Sequence, residues 1–144
     1  SAKDVRNTYT AIFAERGCEA PAVVRIYRSD ANAEHFLAFG TALDGTEITA
    51  ETLNGAMDGL IFENGAAFNT VTADKDGHIK ADLNDAFAAQ VRSLGTSGEY
   101  FLVGGIVNTL LDAFDGTEVM LTVNGAPLES GHNIYDYALT RYEE

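Results

Sequence analysis

The sequence predicts an α+β domain in which helices pack on one face of a twisted, mainly antiparallel or mixed sheet of about five strands. Two segments, residues 49–62 and 97–114, carry apolar residues at helical spacing. Shorter segments rich in β-branched and aromatic residues have the composition and spacing of strands. Asn-Gly and Asp-Gly pairs lie between them, which favours short turns. The two apolar helix faces require a sheet to cover them.

Residues 1–21 are predicted to be a helical extension or tether that precedes a single domain over residues 22–144. Within it, residues 4–16 have the spacing of a short helix, and Gly17 is a suitable stop. The apolar stripe of this helix consists of Val5, Tyr9, Ile12 and Phe13. The helix is either packed on the domain or the end of a tether to something upstream.

Two strands are predicted next, over residues 22–27 and 35–43, with a polar turn at residues 29–32. Gly40 lies within the second strand. A glycine inside a strand weakens it or marks a bulge, so we expect one of these at Gly40.

Residues 49–62 form the second of the two strongest predicted helices. Thr49 is expected to cap it through the hydroxyl group, and Glu51 places a negative charge in its first turn. The pair Asn64-Gly65 ends it. Its apolar residues recur at the spacing of one helix face, which predicts that this face is buried.

A hairpin follows, because residues 74–77 (DKDG) have turn chemistry and separate candidate strands over residues 68–72 and 78–83. Asn84 is then expected to cap a short helix. The apolar residues of that helix are Phe87, Val91 and Leu94.

Residues 97–114 carry the longest apolar periodicity in the chain. We expect Ser97 to cap this helix and Glu99 to add a negative charge to its first turn. Gly104 and Gly105 inside it are expected to permit close packing on a sheet. Asp115-Gly116 ends the helix, and a strand over residues 119–123 follows.

The predicted core draws on every one of these elements except the N-terminal extension and the strand over residues 35–43. Its members are Val24, Ile26, Leu53, Met57, Leu60, Phe68, Leu83, Phe87, Val103, Val107, Leu110, Leu111, Leu121 and Val123.

Several motifs resemble the GerMN domain family. The clearest are Asp82-Leu83-Asn84 and residues 107–110 (VNTL). The opening at residues 95–99 (GTSGE), the strand and turn over residues 119–129 and the pair Gly131-His132 are also similar. The resemblance covers about residues 22–137 as a single copy, and it implies a GerMN-like α+β fold.

The resemblance also implies a function. GerMN domains occur in sporulation and spore-germination proteins and in other bacterial envelope lipoproteins. The expected activity is that of a non-catalytic protein-interaction or scaffold module outside the cytoplasm, membrane-anchored or secreted. Its expected partner is an envelope protein or a cell-wall component, self-association is possible, and contact with the membrane is expected only through a tether outside this sequence.

The charge balance disfavours one class of partner. The chain has 22 acidic and 9 basic residues, a formal net charge of -13, and its basic residues do not gather in a patch. Such a protein repels phosphate backbones and anionic lipid, so no nucleic acid partner is expected. The acidity is typical of a solubility adaptation.

No catalytic, cofactor-binding or metal-binding residue is predicted. Residues 74–79 resemble part of a calcium loop, but Leu83 stands where the bidentate Glu is required. Ser97 lacks the glycine pattern of a nucleophile elbow, and Asp112 and Asp115 are expected to be solvated. The remaining candidates, Cys18 and the three histidines, occur singly: they are His35, His78 and His132. The alternative function is a small hydrolase or a small-ligand or cell-wall-binding carrier domain.

Residues 123–137 (VNGAPLESGHNIYDY) are the candidate partner-binding segment. They lack a regular apolar period, and tyrosines on a loop offer a large contact area at low entropic cost. The residues predicted to bind a partner are His132, Asn133, Tyr135 and Tyr137. The alternative is that Ile134, Tyr135 and Tyr137 form an extra edge strand that packs on the sheet.

Overall fold

The computed structural model describes residues 20–143, which form three helices, a two-stranded sheet and a five-stranded sheet. The helices are α1 (Ala50–Met57), α2 (Asp85–Arg92) and α3 (Thr96–Phe114). The strands are β1 (Val23–Ser29), β2 (Phe36–Ala42), β3 (Phe68–Ala73), β4 (His78–Leu83), β5 (Glu118–Val123), β6 (Ala126–Glu129) and β7 (Ile134–Tyr135). The helix predicted over residues 4–16 and Cys18 lie outside the described residues.

The larger sheet has the strand order β3-β4-β5-β6-β7. Its neighbouring strands are antiparallel except for β4 and β5, which are parallel. Parallel neighbours cannot be joined by a tight turn, and here α2 and α3 form the crossover between them. Along β4 and β5, buried residues alternate with more exposed ones, so the sheet has one covered face. The predicted α+β class with a mainly antiparallel sheet is confirmed.

β1 and β2 form a separate antiparallel pair, whereas the sequence predicted a single sheet. The free edge of β1 faces helix α3: the Tyr27 backbone N–H donates to Thr109 Oγ1 at 3.0 Å. A helix therefore occupies the edge where another strand would have paired. The pairing is regular from Val23↔Ala42 to Ser29↔Phe36, so Gly40 does not form a bulge, which was one of the two outcomes expected for it.

The two glycines inside α3 allow this helix to approach its neighbours closely. A Cβ atom added to Gly105 would lie 2.5 Å from the Tyr27 carbonyl oxygen, and one added to Gly104 would lie 2.6 Å from the Tyr142 ring. Both distances are far below van der Waals contact. The close helix packing predicted for these glycines is confirmed, and it sets the position of α3 against β1.

α1 ends at Met57, five residues before the end predicted for residues 49–62. Its start agrees with the prediction, since the Thr49 hydroxyl accepts from the Thr52 N–H at 3.1 Å. At its end Gly59 has a φ of +80°, and the Met57 carbonyl accepts the N–H groups of three following residues. This tight turn replaces the last predicted helical turn.

The prediction that Ser97 caps the longest helix is wrong. Gly95 is the N-cap residue, α3 begins at Thr96, and no side chain caps the helix. Ser97 is the second residue of the helix, two positions beyond the N-cap, so its hydroxyl is not placed to cap the free N–H groups of the first turn. At the other end, Asp115 takes the left-handed conformation with a φ of +51°, and the Gly116 N–H donates to the Leu111 carbonyl.

The core agrees closely with the prediction. Leu60 and Val123 are only partly buried and pack against it, and Leu60 is displaced because α1 has already ended. The predicted core residues that are fully buried are Val24, Ile26, Leu53, Met57, Phe68, Leu83, Phe87, Val103, Val107, Leu110, Leu111 and Leu121.

The predicted turns and the short helix are also confirmed. Asn124 and Gly125 have φ values of +49° and +88° and join β5 to β6 as a two-residue hairpin turn. The hairpin of β3 and β4 turns between Asp74 and His78. Asn84 caps α2, because its side chain accepts from the Phe87 N–H.

Candidate functional site

The candidate site is the chain from residue 130 to residue 137, called here the 130–137 segment. It begins with a tight loop organised by Ser130, which is 1% exposed. Ser130 Oγ accepts the N–H groups of His132 and Asn133 at 3.1 and 3.0 Å. The Ser130 N–H donates to the Asn133 carbonyl at 3.0 Å, and Gly131 has a φ of +95°. This loop connects β6 to β7 and turns His132 and Asn133 outwards.

Glu99, in the first turn of α3, anchors the segment on its buried side. It is 5% exposed. Its Oε1 lies 2.9 Å from His132 Nδ1, and its Oε2 accepts the Tyr135 hydroxyl hydrogen at 2.6 Å. The carboxylate therefore binds two residues of the segment, which lie 33 and 36 positions after Glu99 in the chain.

The electrostatics of this contact favour an ionised carboxylate. Burial of Glu99 opposes ionisation by desolvation, but hydrogen bonds from Tyr135, His132 and Ser130 outweigh it and hold the pKa of the Glu99 carboxyl below its ordinary value. Burial, followed by the hydrogen bond to Glu99, raises the pKa of the Tyr135 hydroxyl. Tyr135 therefore remains a neutral donor, and His132 Nδ1 carries a hydrogen that it donates to the carboxylate.

The structure separates the predicted partner-binding residues into two groups. Tyr135 is 5% exposed and belongs to the packed edge of the sheet. Tyr137 is 48% exposed, and the His132 side chain is 51% exposed. Asn133 lies between them and its side-chain amide donates to the Tyr137 hydroxyl at 3.0 Å. We call His132, Asn133, Ile134 and Tyr137 the outer surface of the segment.

The predicted edge strand is present in a shorter form. β7 contains Ile134 and Tyr135, which pair with Glu129 and Leu128 of β6. Tyr137 lies beyond it, with its ring centre 6.2 Å from that of Tyr135. The role of the four predicted residues in binding a partner stays a prediction, with Tyr135 placed to support the surface from inside.

Two open grooves border the outer surface. One, of about 560 Å³, is lined by Glu129, Gly131 and the outer-surface residues His132, Asn133 and Ile134. The other, of about 460 Å³, runs between Tyr100, Tyr137 and the strap formed by residues 138–143. A more enclosed cavity of about 230 Å³ lies elsewhere, between the end of β1, the turn after α1 and helix α3.

Hydrogen bonds to the sheet and to helix α3 fix the strap to the domain. Leu139 and Val119 exchange two backbone hydrogen bonds, which extend the sheet beyond the short strand β6. Asn108 on α3 then holds Tyr142, since its side chain donates to the Tyr142 carbonyl at 3.0 Å and accepts the Tyr142 N–H at 2.9 Å. Burial, with the nearby Tyr137, Tyr100 and Glu99, raises the pKa of Tyr142 to about 12.

The motif Asp82-Leu83-Asn84 also has a structural role, because its side chains connect neighbouring elements of the fold. Asp82 Oδ1 accepts from the Thr122 hydroxyl at 2.6 Å and from the Gly125 N–H at 2.8 Å. Desolvation is the largest single influence on the Asp82 pKa and opposes ionisation, but the hydrogen bonds from Thr122, Asn69 and the Gly125 N–H together outweigh it and hold the pKa below its ordinary value. Asn84 Oδ1 accepts from the Ala67 and Phe87 N–H groups. The motif therefore joins β4, the turn after β5 and the start of α2.

Asp112 was expected to be solvated, but its carboxylate is bound by two side chains of the domain. Its Oδ2 accepts the Tyr27 hydroxyl hydrogen at 2.6 Å, and its Oδ1 forms an ion pair with Arg141. The Arg141 guanidinium also lies over the Tyr27 ring, 5.9 Å from its centre. The aspartate was predicted to face water because the helix ends nearby, but the strap passes over it.

Within residues 20–143, no group of three or more His, Cys, Asp and Glu side chains is placed to hold a metal ion. His78 instead lies 3.2 Å from Asp74 and 3.1 Å from Glu118. Over the same residues, no helix has the length and apolar character needed to cross a bilayer.

From the sequence, Glu99 was predicted only to add a negative charge to the first turn of the helix, and its role as the anchor of the segment was missed. A signal was available: Glu99, Val103 and Val107 are spaced at i, i+4 and i+8, so the carboxylate falls on the buried face of the helix. A carboxylate on such a face requires buried donors.

Comparison with known proteins identifies the family. A family model described as "Germane: Sporulation and spore germination" matches residues 22–129. The first GerMN domain of the sporulation protein GerM from Bacillus subtilis is similar in structure, with a TM-score of 0.61 and 23% identity over 83% of this chain and 97% of that chain. The tandem GerMN domains of GerM give a TM-score of 0.59 and 18% identity over 85% of this chain and 45% of that chain. No curated protein matches the sequence.

The structural matches establish a shared GerMN fold, since their sequence identities are low. The match to the family model covers most of the chain. It includes the helix with Glu99, the motif Asp82-Leu83-Asn84 and residues 107–110. The chain therefore belongs to the Germane family of sporulation and spore germination domains.

Proposed function

We propose that this sporulation or germination domain is a non-catalytic protein-interaction or scaffold module of the bacterial cell envelope. It acts outside the cytoplasm, membrane-anchored or secreted, and binds an envelope protein or a cell-wall component through the outer surface of the 130–137 segment. The observation that carries the proposal is the combination of an exposed outer surface with a buried carboxylate, Glu99, that holds it in place.

The outer surface has the composition expected of a recognition site. It contains an imidazole, an amide, an isoleucine and a tyrosine, of which Ile134 is 51% exposed and Tyr137 is 48% exposed. Tyrosine provides a large contact area while losing little side-chain entropy on binding. Because Ser130 and Glu99 already fix the backbone, ordering the loop on binding costs little.

The roles of the motif residues support a non-catalytic module. Asp82, Asn84, Glu99 and Asn108 all use their polar groups in hydrogen bonds within the domain. These bonds join secondary structure elements and leave the same groups unavailable for proton transfer to a substrate. The net charge of -13 favours a neutral or basic partner surface and disfavours nucleic acid.

A hydrolase is the second candidate, because Glu99 orients His132 as a carboxylate orients the base of a catalytic triad. Ser130 is a serine hydroxyl beside this pair, since it hydrogen-bonds to Glu99. Its oxygen accepts two backbone N–H groups and is buried, so it is held as a structural acceptor. For a ligand carrier, the cavity of about 230 Å³ lies below the usual size of a small-molecule site, about 300–1,000 Å³, whereas the groove of about 630 Å³ between the end of β2 and α1 lies within that range.

Capture of partners from bacterial envelope extracts, with the domain as bait, tests the proposal. We expect Tyr137→Ser to reduce capture at an unchanged melting temperature, because the ring is half exposed. Phe39→Ser is the matched control, since Phe39 is an equally exposed aromatic residue (43%) on β2. Equal capture by wild type and Tyr137→Ser, or equal loss in both variants, contradicts the proposed surface.

Three additional measurements extend the test. Tyr135→Ser should lower the melting temperature, because it removes a buried ring and the hydroxyl donor that binds Glu99 Oε2. Hydrolysis of peptidoglycan or of an ester by the purified domain, abolished in His132→Ala, would favour the enzyme. Fractionation of cells that produce the full-length protein tests the envelope location.

A further inference from the structure

The cavity of about 230 Å³ combines an apolar wall with charged groups of both signs. It lies between the end of β1, the turn after α1, and helices α2 and α3. Its charged residues are Arg28, Asp30 and Glu63. It shares no lining residue with the two grooves that border the outer surface of the 130–137 segment, so it is a separate candidate site. Its apolar wall is formed by Leu60, Ile61, Leu94, Phe101 and Leu102.

Arg28 is the charged end of the buried row of residues on β1. Val24 and Ile26 are fully buried, and alternate residues of a strand point to the same face, so Arg28 lies on that face. Arg28 itself is half-buried. Its side chain makes no hydrogen bond or ion pair with another residue of the described range, 20–143. Because a guanidinium binds carboxylates in a matching two-pronged geometry, this one is available to an anionic group of a ligand.

Two carboxylates line the cavity without pairing with Arg28. A hydrogen bond from the Glu34 N–H to Asp30 Oδ1, at 2.9 Å, is the main reason that the pKa of Asp30 lies below its ordinary value. Asp30 is therefore ionised near neutral pH. Glu63 is exposed, and its carboxylate makes no hydrogen bond or ion pair within the described residues. The cavity thus offers one cation and two anions that do not neutralise one another by direct contact.

Hydrogen bonds within the domain hold the wall of the cavity in place. Gln90 Nε2 donates to the Ile61 carbonyl at 2.8 Å, and Gln90 Oε1 accepts the Glu63 N–H at 3.1 Å. These two bonds join α2 to the turn after α1. On the other side of the cavity, Phe101 and Leu102 are buried residues of α3. A ligand therefore meets a preformed site, which reduces the entropy lost on binding.

We propose that this cavity binds a free α-amino acid with an apolar side chain of about the size of leucine. The carboxylate of the amino acid pairs with Arg28, its ammonium group faces Asp30 and Glu63, and its side chain packs on the apolar wall. The volume suits such a ligand, because about 230 Å³ is less than the roughly 300–1,000 Å³ of a site for a drug-sized molecule. The site adds a ligand to the function proposed above and does not depend on the outer surface.

Charge complementarity favours this ligand over two simpler ones. An inorganic anion would pair with Arg28, but it would leave the apolar wall uncovered and would be repelled by both carboxylates. The C-terminal residue of a peptide would supply a carboxylate and a side chain, but its amide nitrogen carries no charge to complement Asp30 and Glu63. Of the three ligands, the free amino acid matches the cation, the anions and the apolar wall together.

Titration of the full chain with L-leucine, followed by amide NMR shifts at about pH 6.5, where α-amino groups are charged, tests the proposal. We expect saturable shifts at amides that line the cavity, Gly98 and Phe101 among them, with a Kd of about 1 mM or lower when leucine is raised to about 10 mM. N-acetyl-L-leucine lacks the ammonium charge and L-leucinamide lacks the carboxylate, so each should bind at least about tenfold more weakly. If leucine causes no saturable shift, or if either analogue binds as tightly as leucine, the proposal is wrong.

Matched variants on β1 identify the residue that binds the carboxylate. Arg28→Met removes the guanidinium from the cavity but keeps a long side chain, and it should weaken leucine binding about tenfold or more. Arg25→Met removes the same charge from the opposite face of β1 and should bind leucine like the wild type. Equal binding by the two variants overturns the proposal. Melting curves show whether each variant is folded, and the comparison of leucine with its two analogues decides the question in the wild type if Arg28→Met is unfolded.

Discussion

Replacing Glu99 by Gln should lower the free energy of unfolding at pH 7 by roughly 1.5–3 kcal/mol. A hydrogen bond to a charged group contributes about 1.5–3 kcal/mol, and Glu99 accepts two, from Tyr135 at 2.6 Å and from His132 at 2.9 Å. Gln retains one oxygen acceptor but loses the charge. The contribution of His132 is discounted because its ring is half exposed to solvent.

The effect should depend on pH in a defined direction. The folded-state pKa of Glu99 lies below its ordinary value of 4.5. The stabilisation is therefore fully present above the unfolded-state pKa and is lost as the pH falls through the folded-state pKa. The difference in unfolding free energy between wild type and Glu99→Gln should be constant near neutral pH and should shrink below about pH 4.5.

Urea unfolding between pH 7 and pH 3, followed by circular dichroism, measures this difference. Glu129→Gln is the control, because Glu129 is an exposed carboxylate at the same end of the sheet. We expect the control to follow the wild type within about 0.5 kcal/mol. If Glu99→Gln unfolds like the control at pH 7, or if the gap persists unchanged to pH 3, the buried carboxylate does not anchor the segment.

Two further predictions concern the core and the helix packing. Leu110→Ala removes a fully buried side chain and should cost roughly 2–5 kcal/mol in urea unfolding, and an unchanged midpoint would show that this helix face is not buried. Gly105→Ala should cost about 1–3 kcal/mol, because the added Cβ would lie 2.5 Å from the Tyr27 carbonyl oxygen. Gly55→Ala in α1 meets no atom within 4 Å and should instead stabilise by about 0.5–1 kcal/mol. Equal effects of the two glycine changes would contradict the close approach of α3 to β1.

Much of the local structure was predictable because its causes are close together in the chain. The turn at Asn124-Gly125 depends on residues that tolerate positive φ, and both have it. The caps at Thr49 and Asn84 depend on hydroxyl and amide groups within three residues of the N–H groups that they bind. The core was predictable for the same reason, since each helix and strand marks its own buried face.

Local signals failed where a distant group competed. Ser97 is a good capping residue by type, but Gly95 starts the helix. The residues of β1 read as a strand of the main sheet, but Thr109 of α3 takes the N–H group at its free edge. At β1 a tertiary contact decided between local possibilities, whereas α3 begins two residues before Ser97 with no side-chain cap.

The sequence by itself determined the fold class, most of the core, the turns and the resemblance to GerMN domains. Only the tertiary structure decided which polar groups meet. Glu99 and His132 are separated by 33 residues, and Tyr27 and Asp112 by 85. A buried polar group must find a partner, but which partner it finds depends on how the helices and strands pack, and residue spacing carries no record of that packing.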